Sequence, residues 1–157
     1  MKTTFAAIAL SLFSIAIAAP APVTTPQPNP YPVSVGNISL KHLIESDTYD
    51  FTFYATTRSL EGEALETVYC HTAWSNGGPY LGANAPEACA SVYSFFFEEG
   101  AADIQSYQLS VIGPEGKATG TIATGPKYQC GPYQGTIGNI DIDCRTTNGG
   151  EFYLRAD

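Results

Sequence analysis

The sequence carries little positive charge. Its 157 residues include 7 Lys and Arg against 15 Asp and Glu, which gives a formal net charge of −8 at pH 7. Nucleic-acid backbones and anionic lipid headgroups are bound mainly by clustered basic side chains, and the few bases here are scattered. We therefore expect no nucleic acid and no membrane as a partner, whereas a basic protein would be attracted to the acidic surface.

Motifs for metal binding and for nucleophilic catalysis are also missing. The chain has no Cys-x-x-Cys pair with zinc-site spacing and no Gly-x-Ser-x-Gly elbow of a serine hydrolase. Asp141 and Asp143 alternate along one segment, but two carboxylates supply too few oxygens for a calcium cage, and we interpret them as the wet face of a strand. We predict no metal, no cofactor and no catalytic residue.

Enzymatic alternatives rest on residue types alone. Small secreted fungal ribonucleases use two histidines, a glutamate and an arginine, and this chain offers His42, His71 and Arg58, although both histidines precede the second cysteine, unlike the order in those enzymes. A glycosidase needs two carboxylates about 5 to 10 Å apart, and 15 acidic residues provide some such pair by chance. A small secreted hydrolase therefore stays an alternative.

Long hydrophobic runs are confined to the N-terminus. A weakly positive start precedes an apolar stretch from Phe5 to Ile17, and Ala16-Ile17-Ala18 supplies the small residues that signal peptidase requires. We predict a signal peptide over residues 1–18, a mature chain from Ala19, and a secreted, extracellular protein. No later segment approaches the roughly 18 apolar residues of a membrane span.

Proline marks the next zone, because 6 of the 11 prolines fall between Pro20 and Pro32. Proline lacks a backbone donor and fixes φ, so residues 19–36 are predicted to form a flexible, extended tail before a domain spanning 37–157. Asn37-Ile38-Ser39 is a glycosylation sequon at that junction, and Asn37 is the predicted glycan site.

From Ile38 onward the apolar pattern has a period of two, interrupted by turn residues about every eight to twelve positions. This pattern predicts an all-β fold, a compact antiparallel barrel or sandwich. Gly113-Pro114-Glu115-Gly116 is predicted as a tight hairpin loop. The predicted strands lie at 38–44, 49–55, 67–71, 91–97, 105–112, 117–124, 135–144 and 151–155.

The chain has four cysteines, Cys70, Cys89, Cys130 and Cys144. An even number of cysteines in a secreted chain indicates two disulfides. Four cysteines allow three connectivities, and the count by itself does not choose among them.

The order of these segments resembles the Alternaria major allergen family of secreted fungal allergens and elicitors. The residues that carry the resemblance are the cysteines together with their β-patterned flanks: Ile38-Ser39, 49–57, Thr67-Val68-Tyr69-Cys70, Phe95-Phe96-Phe97, 118–122, Tyr128-Gln129-Cys130 and Ile142-Asp143-Cys144. The resemblance spans most of residues 38–144.

The resemblance implies a β-barrel with two local disulfides, Cys70–Cys89 and Cys130–Cys144. Each would close a short loop, for which chain entropy gives about 3 kcal/mol. The implied function is non-enzymatic: an effector or elicitor that binds a plant defence protein, such as a thaumatin-like protein, or a small apolar ligand. The tail lacks the extra cysteine that links dimers in the family, so a monomer or non-covalent dimer is expected. A structural protein of the cell wall or spore surface is another alternative.

The segment Ser91 to Phe97 is apolar on both faces, with Tyr93, Phe95 and Phe97 on one of them. A strand in a single-layer barrel wall should have one wet face, so the second apolar face must be covered. Coverage by the chain's own Trp74–Glu87 segment is one interpretation. The other makes Tyr93, Phe95 and Phe97 an interface for a partner.

Overall fold

The computed structural model describes residues 32–78, 86–99, 103–135 and 138–157. The predicted signal peptide and the tail up to residue 31 lie outside the described residues. Within them the chain forms ten strands and no helix. These are β1 (Val33–Leu43), β2 (Thr48–Arg58), β3 (Ala64–Ser75), β4 (Glu87–Ala88), β5 (Ser94–Phe97), β6 (Ser106–Gly113), β7 (Gly116–Ala123), β8 (Tyr128–Pro132), β9 (Ile140–Thr146) and β10 (Glu151–Ala156).

All the strands pair antiparallel, in the order β3-β2-β1-β10-β7-β6-β5-β4, with β9 on β1 and β8 on β9. Along one of its edges, strand β1 pairs with two strands: its first half pairs with β10 and its second half pairs with β9. The register of β1 against β2 shifts between Gly36 and Ser39, where Asn37 has a φ of 49°. This bulge bends the strand and lets the sheet curl into a nearly closed barrel. The predicted fold class is confirmed.

The two ends of this strand order, β3 and β4, meet at a seam. Cys70 on β3 forms a disulfide with Cys89, which directly follows β4. Beside it, the Ala90 amide donates a hydrogen bond to the Tyr69 carbonyl at 3.1 Å. The second disulfide joins Cys130 and Cys144, which lie directly opposite each other on β8 and β9. Both pairings implied by the family resemblance are confirmed.

Aromatic side chains fill the barrel interior. Phe51 and Phe53 of β2 face Phe95 and Phe97 of β5, and all four are 0% exposed. The Phe53 and Phe95 ring centroids lie 4.9 Å apart, and those of Phe51 and Phe97 lie 5.3 Å apart. Trp74 of β3 packs edge-on against Phe97. Because β2 and β5 are far apart in the strand order, these contacts tie together opposite walls of the barrel.

The predicted interface at Tyr93, Phe95 and Phe97 is wrong, because these side chains point into the core, with exposures of 5%, 0% and 0%. Phe95 and Phe97 pack on Phe53 and Phe51 of β2. Of the Trp74–Glu87 segment, the other expected cover, residues 79–85 lie outside the described residues. On the outer face of the same strand, Phe96 is also buried, and the Lys117 ammonium lies 5.8 Å from its ring centroid. Both faces of β5 are therefore covered within the chain.

Several predicted boundaries also move. Val33 and Val35 are buried strand residues, so the barrel begins before the predicted domain start at Asn37. Asn37 itself is exposed. The predicted strand at 135–144 corresponds to β9 at Ile140–Thr146, and β8 was not predicted. The hairpin at Gly113–Gly116 is confirmed, since these two glycines pair at its base and Gly116 has a φ of 112°.

Phe95→Ala should lower the free energy of unfolding by about 3–5 kcal/mol, because it removes a fully buried ring from the aromatic core. Val92→Ala is the matched control on the same segment, since Val92 is 70% exposed, and it should change stability by less than about 0.5 kcal/mol. Denaturant unfolding of both variants, with sizing chromatography, measures this. A Phe95→Ala protein that kept wild-type stability and lost self-association would restore the interface interpretation.

Candidate functional site

A cleft of about 500 Å³ opens at one end of the barrel, and we call it the barrel mouth. It lies where the β2–β3 hairpin stands opposite the β6–β7 hairpin, beside the start of β1 and the end of β10. Mouths of β-barrels are common ligand sites. The side chains that line it are Pro32, Thr57, Arg58, Ser59, Leu60, Leu65, Glu66, Tyr93, Pro114, Glu115 and Ala156.

Tyr93 forms the floor of the barrel mouth. Its ring packs against Gly113, where an added Cβ would lie 2.5 Å from a Tyr93 ring carbon, so glycine is required at that position. Its hydroxyl lies 3.3 Å from Thr57 Oγ1 and donates to Glu66 Oε2 at 3.1 Å. Burial raises the pKa of the Tyr93 hydroxyl, and the nearby Glu66 and Glu115 carboxylates raise it further. Tyr93 therefore stays a neutral donor at physiological pH.

Leucines of the β2–β3 hairpin provide an apolar wall. Leu60 is 52% exposed and Leu65 is 69% exposed, and both border the barrel mouth. The turn between them is held by Ser59, whose hydroxyl accepts the Glu61 and Glu63 amides at 3.2 Å. The hairpin thus presents two apolar side chains to solvent in a fixed turn.

The charges at the barrel mouth are unevenly matched. The Arg58 guanidinium donates to Glu151 at 2.6 Å, to the Ser34 hydroxyl at 2.9 Å and to the Gly62 carbonyl at 2.9 Å. Its positive charge is therefore paired with Glu151. Glu66 and Glu115, in contrast, form no ion pair within the described residues. The mouth is consequently a net negative, apolar-walled cleft.

A second polar group surrounds His42 at the opposite end of β2. Its Nδ1 lies 2.8 Å from Asp141 Oδ1 and its Nε2 lies 2.9 Å from Asp47 Oδ1. Asn76 also donates to the Asp47 carboxylate at 3.2 Å. Partial burial opposes a charge on His42, but the hydrogen bonds and attraction from Asp47 and Asp141 outweigh it and raise the pKa of His42 above 6.5. The group clamps the β1–β2 turn to the strand β9.

The residues of the ribonuclease alternative are not brought together. His71 pairs with Asp50 at 2.7 Å, whereas His42 is held by its own two aspartates. Arg58 ends β2 at the barrel mouth, about 30 Å along the strand from Tyr49, which pairs with His42. No common centre joins the three side chains.

The predicted wet face of Asp141 and Asp143 is half wrong. Asp141 is exposed, but the side chain of Asp143 is only 5% exposed and pairs with Arg145 at 2.7 Å. Asp143 and its neighbour Cys144 are both buried, so the strand departs from strict alternation at this point. Within the described ranges, no cluster of three or more His, Cys, Asp or Glu side chains is arranged to hold a metal ion.

The part of the chain that the structure describes contains no helix long and apolar enough to cross a membrane.

Comparison of the chain with protein-family models gave no match, and comparisons with curated proteins and with solved structures gave none either. The resemblance to the Alternaria major allergen family therefore stays a prediction.

The barrel mouth is not predicted from the sequence. Leu60 and Leu65 flank the polar stretch Glu61-Gly62-Glu63. Large apolar side chains at a turn can indicate an exposed binding surface, and this was the one feature of the sequence that pointed to the mouth. Nothing in the sequence around Glu115, between the glycines of the β6–β7 hairpin, indicates a site, because only the fold brings it into the same cleft as Glu66 and Tyr93.

The His42 group should stabilise the fold most in mildly acidic solution. Because the folded-state pKa of His42 is raised and that of Asp47 is lowered, the contribution is full where His42 is charged and Asp47 is ionised, below about pH 6.5. It fades as pH rises through the higher folded-state pKa of His42, and also as pH falls through the pKa of Asp47. NMR titration of the His42 ring should therefore give a pKa above 6.5, and Asp47→Asn should lower it. A His42 pKa at or below 6.5 in the wild type would refute the clamp.

Proposed function

We propose that the protein is a secreted fungal effector- or allergen-like protein that acts by binding, and that the barrel mouth is its ligand site. The observation that carries the proposal is the apolar-walled cleft with a buried tyrosine donor on its floor. Ligand sites combine apolar walls with a few polar groups that fix orientation, which is the composition found here. The two disulfides are compatible with an extracellular protein.

A partner protein is the second candidate, and the outer face of β2 and β3 favours it. Tyr54 and Tyr69 pair across these strands, with ring centroids 5.4 Å apart and exposures of 42% and 46%. Exposed tyrosines are enriched at protein interfaces. A basic plant defence protein, such as a thaumatin-like protein, would also be attracted to the acidic chain.

Leu65→Ser should weaken binding of an uncharged apolar probe, N-phenyl-1-naphthylamine, by about fivefold or more, because it removes an apolar wall of the barrel mouth. Val92→Ser is the matched control, since Val92 is 70% exposed and Leu65 is 69% exposed, and Val92 lies outside the mouth. Fluorescence titration measures both. Equal binding by the two variants, or no binding by the wild type, would count against the mouth as the ligand site.

A further inference from the structure

The barrel mouth is lined by two carboxylates, Glu66 and Glu115. Glu66 accepts a hydrogen bond from the Tyr93 hydroxyl at 3.1 Å, and Glu115 lines the same cleft from the β6–β7 hairpin. The two residues come from opposite hairpins, so the fold, rather than a local sequence motif, brings them together.

These carboxylates have no positive partner within the described part of the chain. Arg58 is the cation that borders the barrel mouth, and Glu151 neutralises it at 2.6 Å. The chain as a whole carries a formal charge of −8. An anion entering the mouth would therefore meet repulsion, whereas a cation would gain attraction from both carboxylates.

The apolar wall adds a second requirement. Leu60, Leu65 and Pro114 offer hydrocarbon surface beside the carboxylates. A bare metal ion would leave that surface unused, and a neutral hydrocarbon would leave the carboxylates unpaired. A ligand with a positive head and an apolar body satisfies both parts of the mouth.

We propose that the barrel mouth binds an organic cation, a protonated amine or guanidinium carried on an apolar body. This inference rests on the proposed function of the mouth as a ligand site. The head donates hydrogen bonds to Glu66 and Glu115, and the body packs on Leu60 and Leu65. The same chemistry occurs in a free alkylamine and in a lysine or arginine side chain of a peptide.

The test is isothermal titration calorimetry of the mature, disulfide-bonded chain with three probes of equal length: n-octylammonium, n-octanol and n-octanoate. We expect n-octylammonium to bind about fivefold or more tightly than n-octanol, and n-octanoate to bind most weakly. Glu66→Gln and Glu115→Gln should each remove most of the preference for the ammonium and leave n-octanol binding within about twofold. Glu45→Gln is the matched control, because Glu45 is an exposed acid in the turn at the opposite end of β2, and it should change nothing.

A second arm uses the peptide acetyl-Leu-Arg-Leu-amide to distinguish the two sources of the cation. Binding of this peptide at least as tightly as n-octylammonium, with the same dependence on Glu66, assigns the mouth to a peptide side chain. Weaker peptide binding assigns it to a small free amine.

The outcomes separate this inference from the proposed function. If n-octanol or n-octanoate binds as tightly as n-octylammonium, the cation preference is refuted while the mouth remains a ligand site. If the Glu66→Gln and Glu45→Gln variants lose the ammonium preference equally, the preference belongs to the overall charge and not to the mouth. If none of the three probes binds, the proposed function of the mouth fails as well.

Discussion

Closure of the barrel at the β3–β4 seam is the constraint on which the rest of the structure depends. Strand β4 has only two residues, Glu87 and Ala88, so it offers little backbone pairing to the long strand β3. The Cys70–Cys89 disulfide and the hydrogen bond from Ala90 to Tyr69 join the two sides where strand pairing ends. Without this link, the strand that carries Phe95 and Phe97 would keep its backbone pairing to the long strands of the barrel through β6, and β3 would hold it by side-chain packing such as that of Trp74 on Phe97.

The same closure shapes the candidate site. Tyr93 follows the disulfide by four residues and joins the seam from inside, through its contacts with Thr57 and Glu66. Its ring is part of the buried core and packs against Gly113, whereas its hydroxyl contacts Thr57 and Glu66 at the barrel mouth. The core and the mouth therefore share one residue, and the position of the polar floor depends on how that ring is packed.

Much of the fold could be predicted from the local sequence pattern. Alternating apolar residues indicate which face of a strand is buried, and glycine-containing turns indicate where a strand ends. The burial along β3, where Val68, Cys70, Thr72 and Trp74 alternate with exposed neighbours, follows that pattern directly. Strand β8 and the first residues of β1 were not predicted. Pairing with strands distant in the sequence, and not an alternating apolar pattern, places these residues in the sheet. An interface was one of the two interpretations of Tyr93, Phe95 and Phe97, because a sequence does not show which strands lie opposite them. The barrel mouth was missed for the same reason, since Glu66 and Glu115 line one cleft only after the sheet curls.

The most direct test of seam closure is amide hydrogen exchange on two double variants, Cys70→Ala/Cys89→Ala and Cys130→Ala/Cys144→Ala. The closed loops are similar, with separations of 19 and 14 residues, so each variant should lose about 3 kcal/mol of stability. If the Cys70–Cys89 disulfide closes the seam, exchange should rise along β3, β4 and β5 in the first variant, and only along β8 and β9 in the second. Unchanged exchange at β3 and β5 in the first variant would contradict this, because the seam would then be closed by contacts other than the disulfide.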